Sequence, residues 1–217
     1  MVQVKICGVT RAEDARAAAL AGANAIGINF VAASPRSIGG LQHARALVQQ
    51  SRLGRRVRWA GVFVNPTVDE ALGAVAALGL RIVQLHGEET PAFVRQLKRR
   101  LGARVAVWKA FRVATEGDLE ALQQYDCDAW LVDAKCRAVR GGSGRTFDWA
   151  ILKALKRTTS LVLAGGLNPG NVREAVRRVR PDWVDTASGV ESAPGVKDAA
   201  LIERFIRAAR GQKAPGK

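Results

Sequence analysis

The sequence predicts an α/β chain closed into a single (β/α)8 TIM barrel, and three observations carry that expectation. Eight short runs are filled almost without interruption by Val, Ile and Leu, the composition of strands covered on both faces in a parallel sheet. The runs begin at residues 3, 25, 58, 82, 105, 129, 160 and 183, so one strand-plus-helix unit recurs about every 25 residues. Between them lie amphipathic segments that open on capping residues and mostly close near glycine.

The first strand covers 3–7, and Thr10 stands where it can cap a helix over 11–20 that ends near Gly22. The second strand covers 25–30. The third, 58–64, leads to Thr67, the cap expected for a helix over 68–77 closing near Gly79. After the fourth, 82–86, Thr90-Pro91 opens a helix over 91–101, with Gly102 behind it. Proline suits the first helical position, because the donor it lacks would be unpaired there anyway. Strands at 105–110, 129–133, 160–164 and 183–186 complete the ring. A doubly wound sheet shares the alternation, but it normally has fewer strands and a G-x-G-x-x-G turn after the first. Cys7-Gly8-Val9-Thr10 occupies that place here. No linker divides the chain, so one catalytic domain is expected over 1–210, with a disordered tail at 211–217.

Composition narrows the function classes. With 48% hydrophobic and 24% charged residues, the chain has the apolar content of a folded core. No apolar run approaches the ~20 residues of a membrane span. The N-terminus runs directly into strand-like alternation without a leader pattern, and the three cysteines lack metal-ligand spacing. A cytoplasmic protein with reduced thiols, no metal and no membrane partner is expected. The 34 Lys+Arg against 19 Asp+Glu give +15, which first suggests nucleic acid. Single-strand binding also needs exposed aromatics among the basic residues. The one Tyr and six Phe fall mostly in core elements, so no nucleic-acid partner is expected.

In a barrel of this kind the chemistry sits at the C-terminal ends of the strands. That rule selects Cys7, the loop Ser34-Pro35-Arg36, His86, Asp133, Gly141-Gly142-Ser143-Gly144, Gly165-Gly166, Asp185 and Ser188-Gly189. The glycine clusters after strands seven and eight suit a phosphate, because bare backbone N–H groups can approach its oxygens; tight turns alone are the plainer reading. A thiolate base at Cys7 and a carboxylic acid at Asp133 would suit proton abstraction beside a C=N or C=O group. Nearby Arg or Lys is expected to lower the Cys7 pKa. Arg36 is placed to grip a carboxylate through both arms of its guanidinium, unless it is a solvated loop charge. His86 serves equally to orient a loop or to touch substrate, and His43 reads as a surface residue. Cys127 and Cys136 flank the sixth strand, too far apart to bridge.

These residues carry a resemblance to phosphoribosylanthranilate isomerase, a family of tryptophan biosynthesis. Val4-Lys5-Ile6-Cys7-Gly8-Val9-Thr10 resembles its K-I-C-G-[LVI]-T start, and Ser34-Pro35-Arg36, Phe63-Val64-Asn65 and Gln84-Leu85-His86-Gly87 follow in order. So do Gly141-Gly142-Ser143-Gly144 with Phe147-Asp148-Trp149, Leu163 to Val172, Asp185, and Ser188-Gly189-Val190-Glu191. The resemblance implies an Amadori rearrangement of N-(5-phosphoribosyl)anthranilate without a cofactor. Cys7 would be the general base, Asp133 the general acid and Arg36 the partner of the anthranilate carboxylate. Gly142, Ser143, Gly144, Gly165, Gly166, Ser188 and Gly189 would hold the phosphate, with His86 and Asp185 lining the pocket. The implied partner is a small anionic phosphosugar, bound by a monomer or homodimer.

Two positions depart from the pattern. Ala187 replaces a serine of the usual D-V-S-S-G, removing one hydroxyl, and the segment between Asp133 and Gly141 is unusually basic. The related histidine-pathway isomerase normally uses two aspartates, whereas Cys7 stands here; indole-glycerol phosphate synthase carries a longer N-terminal extension. The charge divides into a basic underside near helix ends and a smaller set at the mouth. That set, Arg11, Arg36, Lys109, Arg112, Lys135, Arg137, Arg140 and Arg145, is expected to steer an anion.

Overall fold

The computed structural model describes residues 1–54, 57–133 and 149–212. Eight parallel strands close into a barrel in sequence order. They are β1 (Gln3–Ile6), β2 (Ala25–Asn29), β3 (Arg58–Phe63), β4 (Ile82–Leu85), β5 (Ala106–Arg112), β6 (Ala129–Asp133), β7 (Ser160–Ala164) and β8 (Trp183–Thr186). The ring closes where β1 pairs with β8, in the register Val4 to Val184, Lys5 to Asp185 and Ile6 to Thr186.

Alternation along each strand splits the apolar residues between two cores. Val4, Ile6, Ile26, Ile28, Val83, Leu85, Val132, Leu161, Leu163 and Val184 belong to the larger core under the helices. Ala25, Ala60, Ile82, Trp108, Ala129, Leu131, Val162, Ala164 and Trp183 form the second core, the barrel interior. Trp108 and Trp183 meet there edge to face, with centroids 5.0 Å apart. Ala25, Ala60, Ala129 and Ala164 share that interior with the two indoles, as a small barrel interior mixes small and large side chains. Above this apolar plug the strands carry buried polar residues, Lys5, Gln84 and Asp185, beneath the C-terminal mouth.

The helices are α1 (Ala12–Leu20), α2 (Leu41–Ser51), α3 (Val68–Leu78), α4 (Pro91–Leu101), α5 (Leu119–Leu122), α6 (Val172–Val179) and α7 (Ala199–Ala209). Thr67 caps α3 in a reciprocal box with Glu70, and Gly79 ends that helix at φ 65°. Thr90 caps α4 ahead of Pro91. Thr10 does not cap the first helix: Arg11 is its N-cap, and the Thr10 hydroxyl donates to the Gly195 carbonyl. A hairpin of β9 (Glu191–Ala193) and β10 (Val196–Lys197) follows β8. It was not expected, because three- and two-residue strands leave no periodic pattern. Cys7 and His86 lie one residue past β1 and β4, and β5 runs on to Arg112. Gly211 and Gln212 remain tied to the Ala208 and Arg207 carbonyls at the end of α7. The rest of the expected tail lies outside the described residues.

Leu131 is completely buried in the barrel interior, so Leu131→Ala is expected to lower the unfolding free energy by about 2–5 kcal/mol. Thr67→Ala removes one cap and is expected to lower it by about 1 kcal/mol. Equilibrium unfolding in urea checks both; equal effects would contradict this division between core and cap.

Candidate active site

The strand ends converge on one cavity of about 360 Å³ at the C-terminal mouth. Its walls include Cys7, Arg36, Gln84, His86, Arg112, Asp133, Gly165, Gly166, Asp185 and Ser188. Eight of the site residues expected from the sequence thus meet in one place: Cys7, Arg36, His86, Asp133, Gly165, Gly166, Asp185 and Ser188. Gly142, Ser143 and Gly144 lie outside the described residues, as do Cys136, Lys135, Arg137, Arg140 and Arg145.

Cys7 is held at the floor by the close approach of β2. A Cβ on Gly27 would lie only 2.8 Å from Cys7 Sγ and 3.1 Å from Lys5 Cε, so glycine leaves the slot that both side chains share. Burial pushes the Cys7 thiol above its ordinary range, and Lys5 pulls it down by less. The expected lowering is therefore reversed, because desolvation outweighs the nearby ammonium. Lys5 is fully buried, with its Nζ 3.0 Å from both carboxylate oxygens of Asp185. Burial alone would depress the lysine, but Asp185 and Cys7 together carry it above its usual value. Asp185 therefore lines the pocket with its carboxylate already engaged.

Arg36 grips a carboxylate through both arms, as its geometry allows, but the carboxylate is that of Glu191. Its Nε and Nη2 each donate to Glu191 over 2.7 Å. Lys197 donates to the same carboxylate over 2.8 Å and to the Ala187 carbonyl over 3.0 Å. Burial would raise the Glu191 pKa, but these two cations bring it below the ordinary range. Gly8, at φ 66°, completes the fit, since a Cβ there would lie 2.7 Å from Arg36 Cδ.

His86 contacts Gln84, ring nitrogen to amide nitrogen over 2.5 Å, and burial lowers its pKa to about 3, with Lys5, Lys109 and Arg112 adding to the effect. It is a neutral imidazole. Gly165 and Gly166 both take positive φ, 90° and 69°, and no atom stands within 4 Å of a Cβ built on Gly166. Gly189 differs: a Cβ there would strike the Leu167 carbonyl, so this glycine also serves close packing.

Lys109 is not at the mouth. It is buried on β5, donating to the Gly87 and Ala110 carbonyls and lying 3.2 Å from Glu89. Arg11 is paired with Asp14. Among the described members of the expected steering set, Arg112 is the one that lines the cavity without an ion pair among the described residues. His43 is exposed, as expected. Cys127 is buried, and desolvation pushes its thiol to about 11, so it is inert. Lys5, Lys197 and Glu89 escaped the sequence reading. Lys5 did leave a signal: a lysine inside an otherwise apolar barrel strand requires a buried counter-charge, and Asp185 is its neighbour across the closing seam.

The family model for N-(5'-phosphoribosyl)anthranilate (PRA) isomerase matches residues 4–208. The N-(5'-phosphoribosyl)anthranilate isomerase of Pelobacter propionicus is 45% identical over 210 residues, covering 97% of this chain and 96% of the relative. That of Rubrobacter xylanophilus is 41% identical over 211 residues, covering 97% and 100%. The crystal structure of phosphoribosyl anthranilate isomerase from Thermotoga maritima superposes with a TM-score of 0.83 at 42% identity, covering 97% of this chain and 100% of that one. A phosphoribosyl anthranilate isomerase in complex with reduced 1-(o-carboxyphenylamino)-1-deoxyribulose 5-phosphate gives 0.82 at 39%, with the same coverage.

The His86 shift gives a directional test. A folded-state pKa of about 3 against an ordinary 6.5 means that the unfolded chain binds more protons across that window. The stability His86 contributes is complete above 6.5 and is lost as the pH falls toward 3. Proton NMR is expected to show the His86 ring neutral at about pH 5. A His86 ring protonating near ~6.5 would contradict its desolvation.

Proposed function

The chain belongs to the N-(5'-phosphoribosyl)anthranilate isomerase family and is an isomerase of tryptophan biosynthesis, and from that premise we propose that it acts by an Amadori rearrangement. In this reading N-(5-phosphoribosyl)anthranilate is converted to 1-(2-carboxyphenylamino)-1-deoxyribulose 5-phosphate. The observation that carries the proposal is that Cys7 and Asp133, from strands on different sides of the ring, line one cavity.

The carboxyl of Asp133 protonates the ring oxygen as the furanose opens, leaving a protonated imine between C1′ and the anthranilate nitrogen. The Cys7 thiolate then removes the proton from C2′. The C–H electron pair moves into the C1′–C2′ bond, and the imine π pair settles on nitrogen, giving an enolamine. Protonation at C1′ with loss of the C2′ hydroxyl proton yields the ketone. No electrons leave the substrate, so the step needs no redox cofactor. A neutral His86 suits a site that must carry a cationic intermediate, because it adds no further positive charge.

Backbone amides near Gly165, Gly166, Ser188 and Gly189 are the candidates for the phosphate, with Gly142, Ser143 and Gly144 completing the set. Arg36 takes the anthranilate carboxylate only by exchanging it for Glu191, an exchange of one carboxylate for another that keeps its charge compensated. Arg112 is the nearest remaining cation for steering the substrate. The working location is the cytoplasm. The Thermotoga maritima relative is described as dimeric, and a monomer or homodimer is expected here; light scattering decides between them.

Loss of the substrate's fluorescence with purified protein tests the proposal, and absence of turnover by the folded protein would refute it. Cys7→Ser and Asp133→Asn are each expected to lower kcat by at least about 100-fold with an unchanged unfolding midpoint. Because burial holds the Cys7 thiol up, kcat/KM is expected to climb with pH past ~8.5, the ordinary thiol value. A plateau already reached near ~6 would contradict a thiolate base.

A further inference from the structure

Lys5, fully buried beside Cys7, takes no part in the mechanism above. Lys5 and Cys7 stand two residues apart at the end of β1, so their side chains share a face. Both crowd the Gly27 Cα, with Sγ 2.8 Å and the lysine Cε 3.1 Å from the position of a Cβ there. An ammonium group has three N–H donors. Two are taken by Asp185 Oδ1 and Oδ2, and the third is available to Cys7 Sγ. Lys5 has no access to water at all.

We propose that Lys5, clamped by Asp185, is a positioning residue for Cys7: its ammonium is the counter-charge that lets the thiolate form in a desolvated slot. The proposal rests on the reading of Cys7 as the base. Its other charged neighbours are less suited to this task. Lys197, from β10, and Arg36, from the loop after β2, are both bound to Glu191. His86, at the end of β4, is neutral, and Asp185, on β8, opposes the thiolate unless Lys5 stands between them. Lys5 is thus the neighbouring cation not bound to Glu191, and its stem shares the Gly27 slot with the sulfur. The pair has a plain structural alternative, a pin across the seam where the barrel closes, and the test must separate the two.

The rate at which iodoacetamide alkylates Cys7 at about pH 8, resolved by peptide mass spectrometry, reads the thiolate fraction without any turnover. It is compared among the wild type, Lys5→Met and the charge-neutral Lys5→Met/Asp185→Asn, in which no ion is left buried alone. The double variant is expected to alkylate at least about 10-fold more slowly, the effect of one unit on the thiol. Unfolding would expose Cys7 and accelerate the reaction, so slowing cannot come from lost structure. Alkylation of the double variant at the wild-type rate or faster overturns the proposal. In the same variant kcat is expected to fall with little change in KM, and the acid limb of its pH profile to move upward. Slowed alkylation with full turnover would remove Cys7 from the mechanism and leave the Lys5 assignment standing.

Discussion

Lys5 and Asp185 face each other across the seam where the first strand meets the last, in register and sealed from solvent. A lone ammonium there would face a desolvation penalty of several kcal/mol, as would a lone carboxylate. The two-oxygen geometry compensates both, and breaking such a pair by removing one member typically costs about 3–5 kcal/mol. Several features of the barrel follow from this one contact. Gly27 must lack a side chain, because the lysine stem and the cysteine sulfur fill its place. The tryptophan plug must stop one layer below, leaving room for polar groups at the mouth. Asp185, although it lines the cavity, is held by a protein cation.

Among the described residues, most other charges near the cavity are also paired locally, with Arg112 the exception. Arg36, Glu191 and Lys197 tie the loop after β2 to the hairpin after β8. Lys109 and Glu89 tie β5 to the loop after β4, with the lysine also bound to two carbonyls. Charges paired in this way hold loops in position more than they attract ligands from a distance. What the pairs provide is a rim whose arginine, Arg36, already holds the carboxylate of Glu191.

Much of this arrangement was legible in the sequence. Buried parallel strands announce themselves by continuous Val, Ile and Leu, and three of the last strands, Ala129–Asp133, Ser160–Ala164 and Trp183–Thr186, begin and end where the pattern places them. The rule that chemistry gathers at strand ends brought Cys7, Arg36, His86, Asp133 and Asp185 together, because a closed ring leaves those ends only one place to meet. Side-chain pairing was less legible. Arg36 and Glu191 are 155 residues apart, and Lys5 and Asp185 are 180 apart. Nothing local marks either pair. The sign of the Cys7 shift was misjudged for a related reason: sequence shows which cations are near a thiol, but not how strongly its surroundings desolvate it. Lys109 was misplaced because strand parity, and not nearness to a loop, decides which way a strand residue faces.

Cys7 lies half-buried at the cavity floor, where desolvation holds its thiol up and Lys5 is the chief counterweight. Direct titration of the thiolate by its ultraviolet absorbance, taken as the difference between the wild type and Cys7→Ser, tests it without substrate or reagent. Half-ionisation is expected above ~8.5, the value of an unperturbed thiol. A midpoint below ~7 would contradict the account, because it would mean that the cations around the sulfur, and not its desolvation, govern it.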